Sequence, residues 1–201
     1  MSAHLPPLPP VGGETTGVNV VDLITREHRE LLALCEELTA SGTDAARRRT
    51  LAQVLVASLS RHLSAEEQYL YPAVRSTVPD GDGLTTRELQ EDQALLVALR
   101  MLDAAGDGDR AERAANVAER LHRHAEAAAG ELVPLLARLV PVEDLIRLGN
   151  RFEMAEEAAP TRPHPGTPLR PPWNKVVDPA VALVDKVRDV IGRRTTYHRD
   201  L

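Results

Sequence analysis

Five ionisable residues in this 201-residue chain stand where helical periodicity turns them inward: His28, His62, Glu66, Asp92 and His124. At about 100° per residue, His28 falls on the stripe of Ile24, Leu31 and Cys35. His62 and Glu66, one helical turn apart, fall among Leu55, Leu59, Tyr69 and Leu70. Asp92 is flanked by Leu89, Leu96 and Leu99, and His124 by Val117, Leu121 and Ala128. Burying such groups without partners costs several kcal/mol each, a large share of a domain's total stability. Imidazole nitrogens and carboxylate oxygens converging from facing helices are ligands of the kind that iron, zinc and manganese accept. A metal-free network of histidine and carboxylate hydrogen bonds is the alternative that would satisfy them.

These residues need rods to carry them, and the chain supplies helices. Apolar residues recur at helical spacing over about 20–40, 44–77, 85–105 and 109–140, and a shorter segment follows over about 141–158. Asn19 is placed to cap the first helix, and Pro72 and Pro134 are expected to kink the second and fourth near their ends. The run Pro79-Asp80-Gly81-Asp82-Gly83 reads as a loop. Four long amphipathic helices joined by short turns predict an all-α, antiparallel up-down-up-down four-helix bundle with an additional short helix. The expected organisation is a loose N-terminal arm over 1–17, the bundle over 18–158, a proline-rich linker over 159–178 and a basic amphipathic helix over 179–201. That last helix carries a stripe of Ala180, Leu183, Val184, Val187, Val190 and Ile191, too short to hold in water alone. It is expected to dock on the acidic bundle or on a second copy, with Trp173 as an anchor.

The chain also repeats itself. Glu27-His28 precedes Leu31-Leu32 as Glu91-Asp92 precedes Leu95-Leu96, and His62 and His124 each stand ten residues before a proline. On these residues the sequence resembles the hemerythrin-like HHE cation-binding family, a duplicated four-helix bundle. The family pattern has a histidine in the first helix, H-x-x-x-E in the second, and the same set again in the third and fourth. EHRELLAL and HLSAEEQYLYP match the first half in full; in the second half Asp92 takes the place of the histidine and Ala128 that of the acidic residue. The resemblance implies that His28, His62 and Glu66 hold one ion. Asp92 and His124 would offer a weaker second site, with Glu131, Tyr69 or Tyr71 as substitutes for the missing carboxylate. It implies non-haem iron, one or two ions, with another divalent metal or an apo form as alternatives, and a small gas or oxidant as ligand. The expected function is binding or sensing of dioxygen, nitric oxide or iron. A metal-free bundle serving as an interaction module and a di-iron oxidase or peroxide-consuming enzyme are the alternatives. The enzyme reading is the weaker, because the one E-x-x-H spacing, Glu119 with His122, lies on a solvated side, as does the His122 and Glu126 pair.

Composition narrows the classes further. Aromatic residues are 2% of the chain and the formal net charge is −6, which argues against stacking platforms and DNA-coating surfaces, so no nucleic-acid partner is expected. Charge is uneven: residues 160–201 carry a net +4 and residues 1–159 a net −10. No stretch has the uninterrupted apolar length of a transmembrane helix. The single cysteine, Cys35, is expected to be a buried structural thiol, and with no signal-peptide pattern the expected location is cytoplasmic.

Overall fold

The computed structural model describes residues 15–163, 185, 189, 194–198 and 201, and among these every regular element is helical. The helices are α1 (Val20–Thr39), α2 (Ala45–Ala65), α3 (Tyr71–Thr77), α4 (Gly81–Asp103), α5 (Arg110–Ala127), α6 (Val133–Leu139) and α7 (Val142–Ala158). Asn19 caps α1 as expected, its Oδ1 accepting from the amides of Val21 and Asp22 at 2.9 and 3.0 Å.

The two late prolines do not end their helices. Proline has no N–H, and its ring clashes with the carbonyl four residues back. The chain answers by widening one turn: Glu66–Leu70 is π-helical, with the Tyr71 amide bonded to the Glu66 carbonyl, and Pro72 then sits in the first turn of α3. Ala128–Leu132 repeats the device, with the Val133 amide on the Ala128 carbonyl and Pro134 opening α6. The expected second and fourth helices are therefore rods in which a π turn links two α-helices. The expected loop over 79–83 is shorter than its composition suggests. Val78, Pro79 and Asp80 make the turn, Asp80 with φ of 56°, and helix resumes at Gly81. A Cβ at Gly81 would lie 2.5 Å from the Val74 carbonyl oxygen, so only glycine permits this closure.

Two apolar clusters form the core, and each rod contributes to both. Leu31–Leu38, Leu51–Leu63, Leu95–Leu102 and Ala114–Leu121 supply one. Val20–Ile24, Ala65–Val78, Leu84–Leu89, Leu132–Val140 and the α7 residues Leu145, Leu148 and Phe152 supply the other. His28, His62, Glu66, Asp92 and His124 fall at the junction. Successive rods cross from one cluster to the other in opposite directions, so all five residues come to one level. Helix α1 packs on α2 and α5, and α4 packs on the same two.

Helix α2 is buried on nearly every side in its second half, from Val54 to Ala65. The bundle alone would leave one of those sides open, and α7 packs across it, against α1, α2 and the first π turn. Residues near the chain end also touch this region. Arg61 donates to the Thr196 carbonyl at 2.6 Å and lies over the Tyr197 ring, while the Thr195 amide reaches Gln53 at 3.3 Å. Arg194 and Arg162 meet Asp103 at 3.0 and 3.2 Å, and Leu201 packs against the first cluster. The predicted aliphatic stripe over 180–191 and Trp173 lie outside the described residues.

Helix α7 is fitted closely to the start of α1, because a Cβ at Gly149 would lie 2.1 Å from the Val18 carbonyl oxygen and 3.1 Å from the Val20 nitrogen. Gly149→Ala should therefore lower stability by about 1–3 kcal/mol, read as a lower urea midpoint at unchanged slope. Gly130→Ala, with nothing within 4 Å of its Cβ, should leave stability unchanged or raise it by up to about 1 kcal/mol.

Candidate metal centre

Glu66 is the hinge of the site. It opens the first π turn, is 1% exposed, and divides its two oxygens between the halves of the repeat. Oε1 faces His62 Nε2 at 3.5 Å and His28 Nε2 at 4.0 Å. Oε2 faces His124 Nε2 at 3.3 Å and accepts from the Tyr71 hydroxyl at 3.1 Å. The His28 and His62 Nε2 atoms are 3.0 Å apart. The three imidazole rings stand edge to face, with centroids 4.8, 5.0 and 6.1 Å apart. One ligand atom from each of His28, His62, Glu66 and His124 lies within 4.8 Å of all the others, and all four residues are buried.

This grouping divides the predicted residues differently from the sequence pattern. His124, expected to serve a second ion, joins the three first-half residues, and Asp92 is outside the four. Asp92 is fully buried behind His124, with Oδ1 3.1 Å from His124 Nδ1 and Oδ2 accepting from the Tyr71 hydroxyl at 2.6 Å. Ala128 begins the second π turn, where Glu66 begins the first, and brings no ligand atom. Of the possible substitutes, Glu131 is exposed and pairs with Arg87 at 3.4 Å, Tyr69 is half-buried, and Tyr71 is the hydroxyl already bound to Glu66 and Asp92.

Electrostatics follow from this packing. Burial works against protonating His62 and His124. For His62, Glu66 and Glu27 outweigh it and push the imidazole up to about 10; for His124, Glu66 and Asp92 push it well above the usual range. Burial also opposes ionising Glu66, but the charges of His124 and His62 hold its carboxyl well below the usual carboxylate range. His28 moves the other way: burial, then repulsion from His62 and His124, keeps it neutral. Burial raises Asp92, and it raises Tyr71 together with Asp92 and Glu66. Without a metal, His62 and His124 thus both favour the proton and Glu66 favours the ionised form.

The donor set fits a metal ion better than it fits hydrogen bonding. Both ring nitrogens of His124 and Asp92 Oδ1 are buried without a well-directed hydrogen bond, although carboxylate oxygens stand near them. A ring whose nitrogens face carboxylates at poor angles is placed for coordination on one side and orientation on the other. The other histidines are elsewhere. His122 and Glu126, 3.3 Å apart, are both exposed, and Glu119 pairs with Arg123 at 3.4 Å in solvent. Cys35 is buried and its thiol is pushed up to about 12, chiefly by burial, so it is inert.

Sequence reasoning missed three residues around His62. Glu27 Oε2 meets His62 Nδ1 at 2.8 Å and so fixes the ring's orientation. Phe152 of α7 stands 5.6 Å from the same ring, centroid to centroid. Glu156, one turn further along α7, faces Glu27, and burial followed by that neighbouring charge pushes its carboxyl up to about 8. The adjacency of Glu27 to His28 was the one available signal; nothing in the α7 sequence ties it to His62.

Glu156 yields a pH test. Its carboxyl is raised above the unfolded value of 4.5, so between pH 4.5 and about 8 the native state holds the extra proton and stability falls as pH rises. In Glu156→Gln that slope should disappear: the variant should gain on the parent from pH 5 to pH 8, read as urea midpoints of metal-free protein. A constant difference across that range would show that Glu156 titrates normally.

Comparison with known proteins agrees with this architecture. The chain is 24% identical over 178 residues, 87% of each chain, to an uncharacterized hemerythrin-like protein of Schizosaccharomyces pombe. No solved structure matches it significantly. The family model described as hemerythrin HHE cation binding domain matches residues 19–136, the span that supplies His28, His62, Glu66, Asp92 and His124. The chain therefore belongs to the hemerythrin HHE cation-binding domain family.

Proposed function

We propose that this protein is a non-haem iron protein whose centre takes one ion, held by His28, His62, Glu66 and His124. It binds or senses a small ligand such as dioxygen or nitric oxide. The observation that carries the reading is the convergence of those four buried ligand atoms within 4.8 Å. Iron with imidazole and carboxylate ligands and open positions supplies the means of binding such a molecule. The residues of the chain do the rest. Asp92 orients His124 through Nδ1, Glu27 orients His62 in the same way, and Tyr71 holds Asp92 and Glu66 at their shared edge. Because His62 and His124 favour their protonated forms in the metal-free centre, an incoming ion competes with protons, and binding weakens on acidification.

The asymmetry of the repeat supports one ion over two. A second ion would rely on Asp92 and His124 with Ala128 in place of a carboxylate. We assign Asp92 to positioning instead. The enzyme reading has less support, since Glu119 and His122, the pair with E-x-x-H spacing, are solvent-exposed. A bundle that has lost its metal is favoured by one observation, the internal pairing of Glu66 with two charged histidines. No helix among the described residues is long and apolar enough to cross a membrane. We further propose that the basic chain end docks on its own bundle, supported by the contacts of Arg194 with Asp103 and of Thr196 with Arg61.

Metal analysis of protein expressed with added iron tests the assignment. His62→Ala should abolish binding, and Asp92→Ala should weaken it about 10–100-fold, as expected for a residue behind a ligand. Equal loss from the two would place Asp92 on the metal. Asp92→His combined with Ala128→Glu should raise the stoichiometry from one ion towards two and bring in charge-transfer absorption. A folded double variant that binds no more than the parent would show that Ala128 is not what limits the second site.

A further inference from the structure

A second group of ligand atoms lies on the far side of His62. Its Nδ1, a carboxylate oxygen of Glu27 and one of Glu156 are all within 4.8 Å of one another. His62 is buried, while Glu27 and Glu156 are each partly open to solvent. The two carboxylates face each other, an arrangement that a proton or a cation must relieve. Arg61, whose charge bears on Glu156, is engaged by the Thr196 carbonyl and the Tyr197 ring.

The second observation is a route. An open cleft of about 700 Å³ between α1, α2 and α7 ends on this trio, with Glu30, Glu153 and Glu157 adding negative charge to its walls and Arg26 and Arg61 the opposing charge. Tyr197 and His198 line it as well. An acidic cleft concentrates cations and speeds their arrival. His62, whose Nε2 faces Glu66, is among the residues that line it, so an ion resting on Nδ1 is separated from the centre by the width of one ring.

We propose that Glu27, Glu156 and His62 Nδ1 form an entry site that captures a divalent transition-metal cation before it reaches the buried centre. One nitrogen and two carboxylates suit iron(II), manganese(II), cobalt(II) and zinc. An arriving ion must displace the proton that His62 Nδ1 shares with Glu27; the neutral imidazole then offers one lone pair, so His62 serves the entry site and the centre in turn and not together. Glu156 belongs to α7, beyond residues 19–136 matched by the family model. The entry site thus draws on a helix outside the span of the family model. It requires only the trio and the cleft; transfer inward rests on the function proposed above.

The test uses cobalt(II) and the full-length chain. His28→Ala combined with His124→Ala removes two ligands from the centre and leaves the trio intact. This variant should still bind one cobalt per chain, weakly, and Glu156→Gln added to it should abolish that binding. A folded His28→Ala/His124→Ala protein that binds no cobalt overturns the entry site. In the otherwise intact chain, Glu156→Gln should slow cobalt uptake about tenfold while leaving the final stoichiometry at one. An unchanged rate also overturns it, and this measurement does not depend on the double variant folding. Binding that is lost with His28 and His124 but unaffected by Glu156→Gln leaves the centre standing and the entry site refuted. In the otherwise intact chain, loss of all cobalt binding with Glu156→Gln, together with unweakened binding when His28 and His124 are removed, leaves the entry site standing and refutes the centre.

Discussion

An ionised carboxylate with almost no solvent contact is the constraint around which this bundle is arranged. Moving Glu66 out of water carries a penalty of several kcal/mol, which must be offset locally. It is offset by His62, one turn before it on the same rod, by His124 from the opposite half of the repeat, and by the Tyr71 hydroxyl. Each of those partners needs its own support: Glu27 for His62, and Asp92 for His124 and Tyr71. The resulting polar layer is flanked by two apolar clusters, which exclude water and so strengthen every charge interaction inside it. A metal ion would replace the two histidine protons without changing which residues converge.

The π turns belong to the same design. A proline six residues beyond Glu66 would break an ordinary helix, yet the wide turn absorbs it and lets Tyr71 and Leu70 continue the core. The second half keeps the turn and the proline but has Ala128 where Glu66 stands in the first. Backbone geometry has therefore survived in both halves, whereas ligand chemistry is complete in only one. Glu66 faces both His62 and His124, so the second half brings its histidine to the carboxylate of the first.

Helix α7 closes over one side of the bundle beside His62. Its Phe152 seals one edge of His62, its Gly149 lets it lie against the chain entering α1, and its Glu156 meets Glu27 across the cleft. The same helix covers the side of α2 that would otherwise face solvent. Residues 194–198 and 201 extend that cover along α2, and Tyr197 and His198 border the opening towards His62.

The sequence alone determined the helical class, the number of the long rods, and the inward placement of His28, His62, Glu66, Asp92 and His124, although it started the third rod near residue 85 and not at Gly81. All of these follow from local quantities: the 3.6-residue period, capping residues and the spacing of apolar positions. It also carried the family resemblance, because the first-half motif is contiguous in the chain. Tertiary structure decided what periodicity cannot encode. A wheel shows that His124 and Asp92 both face inward, but only the relative height and rotation of packed rods sets His124 beside Glu66 and Asp92 behind it. A proline announces a disturbed helix, but whether the chain kinks or widens into a π turn depends on what the following residues must pack against. Glu27 and Glu156 lie far apart in the chain on helices whose own patterns say nothing of each other. Their meeting beside His62 exists only because α7 folds back across α1 and α2.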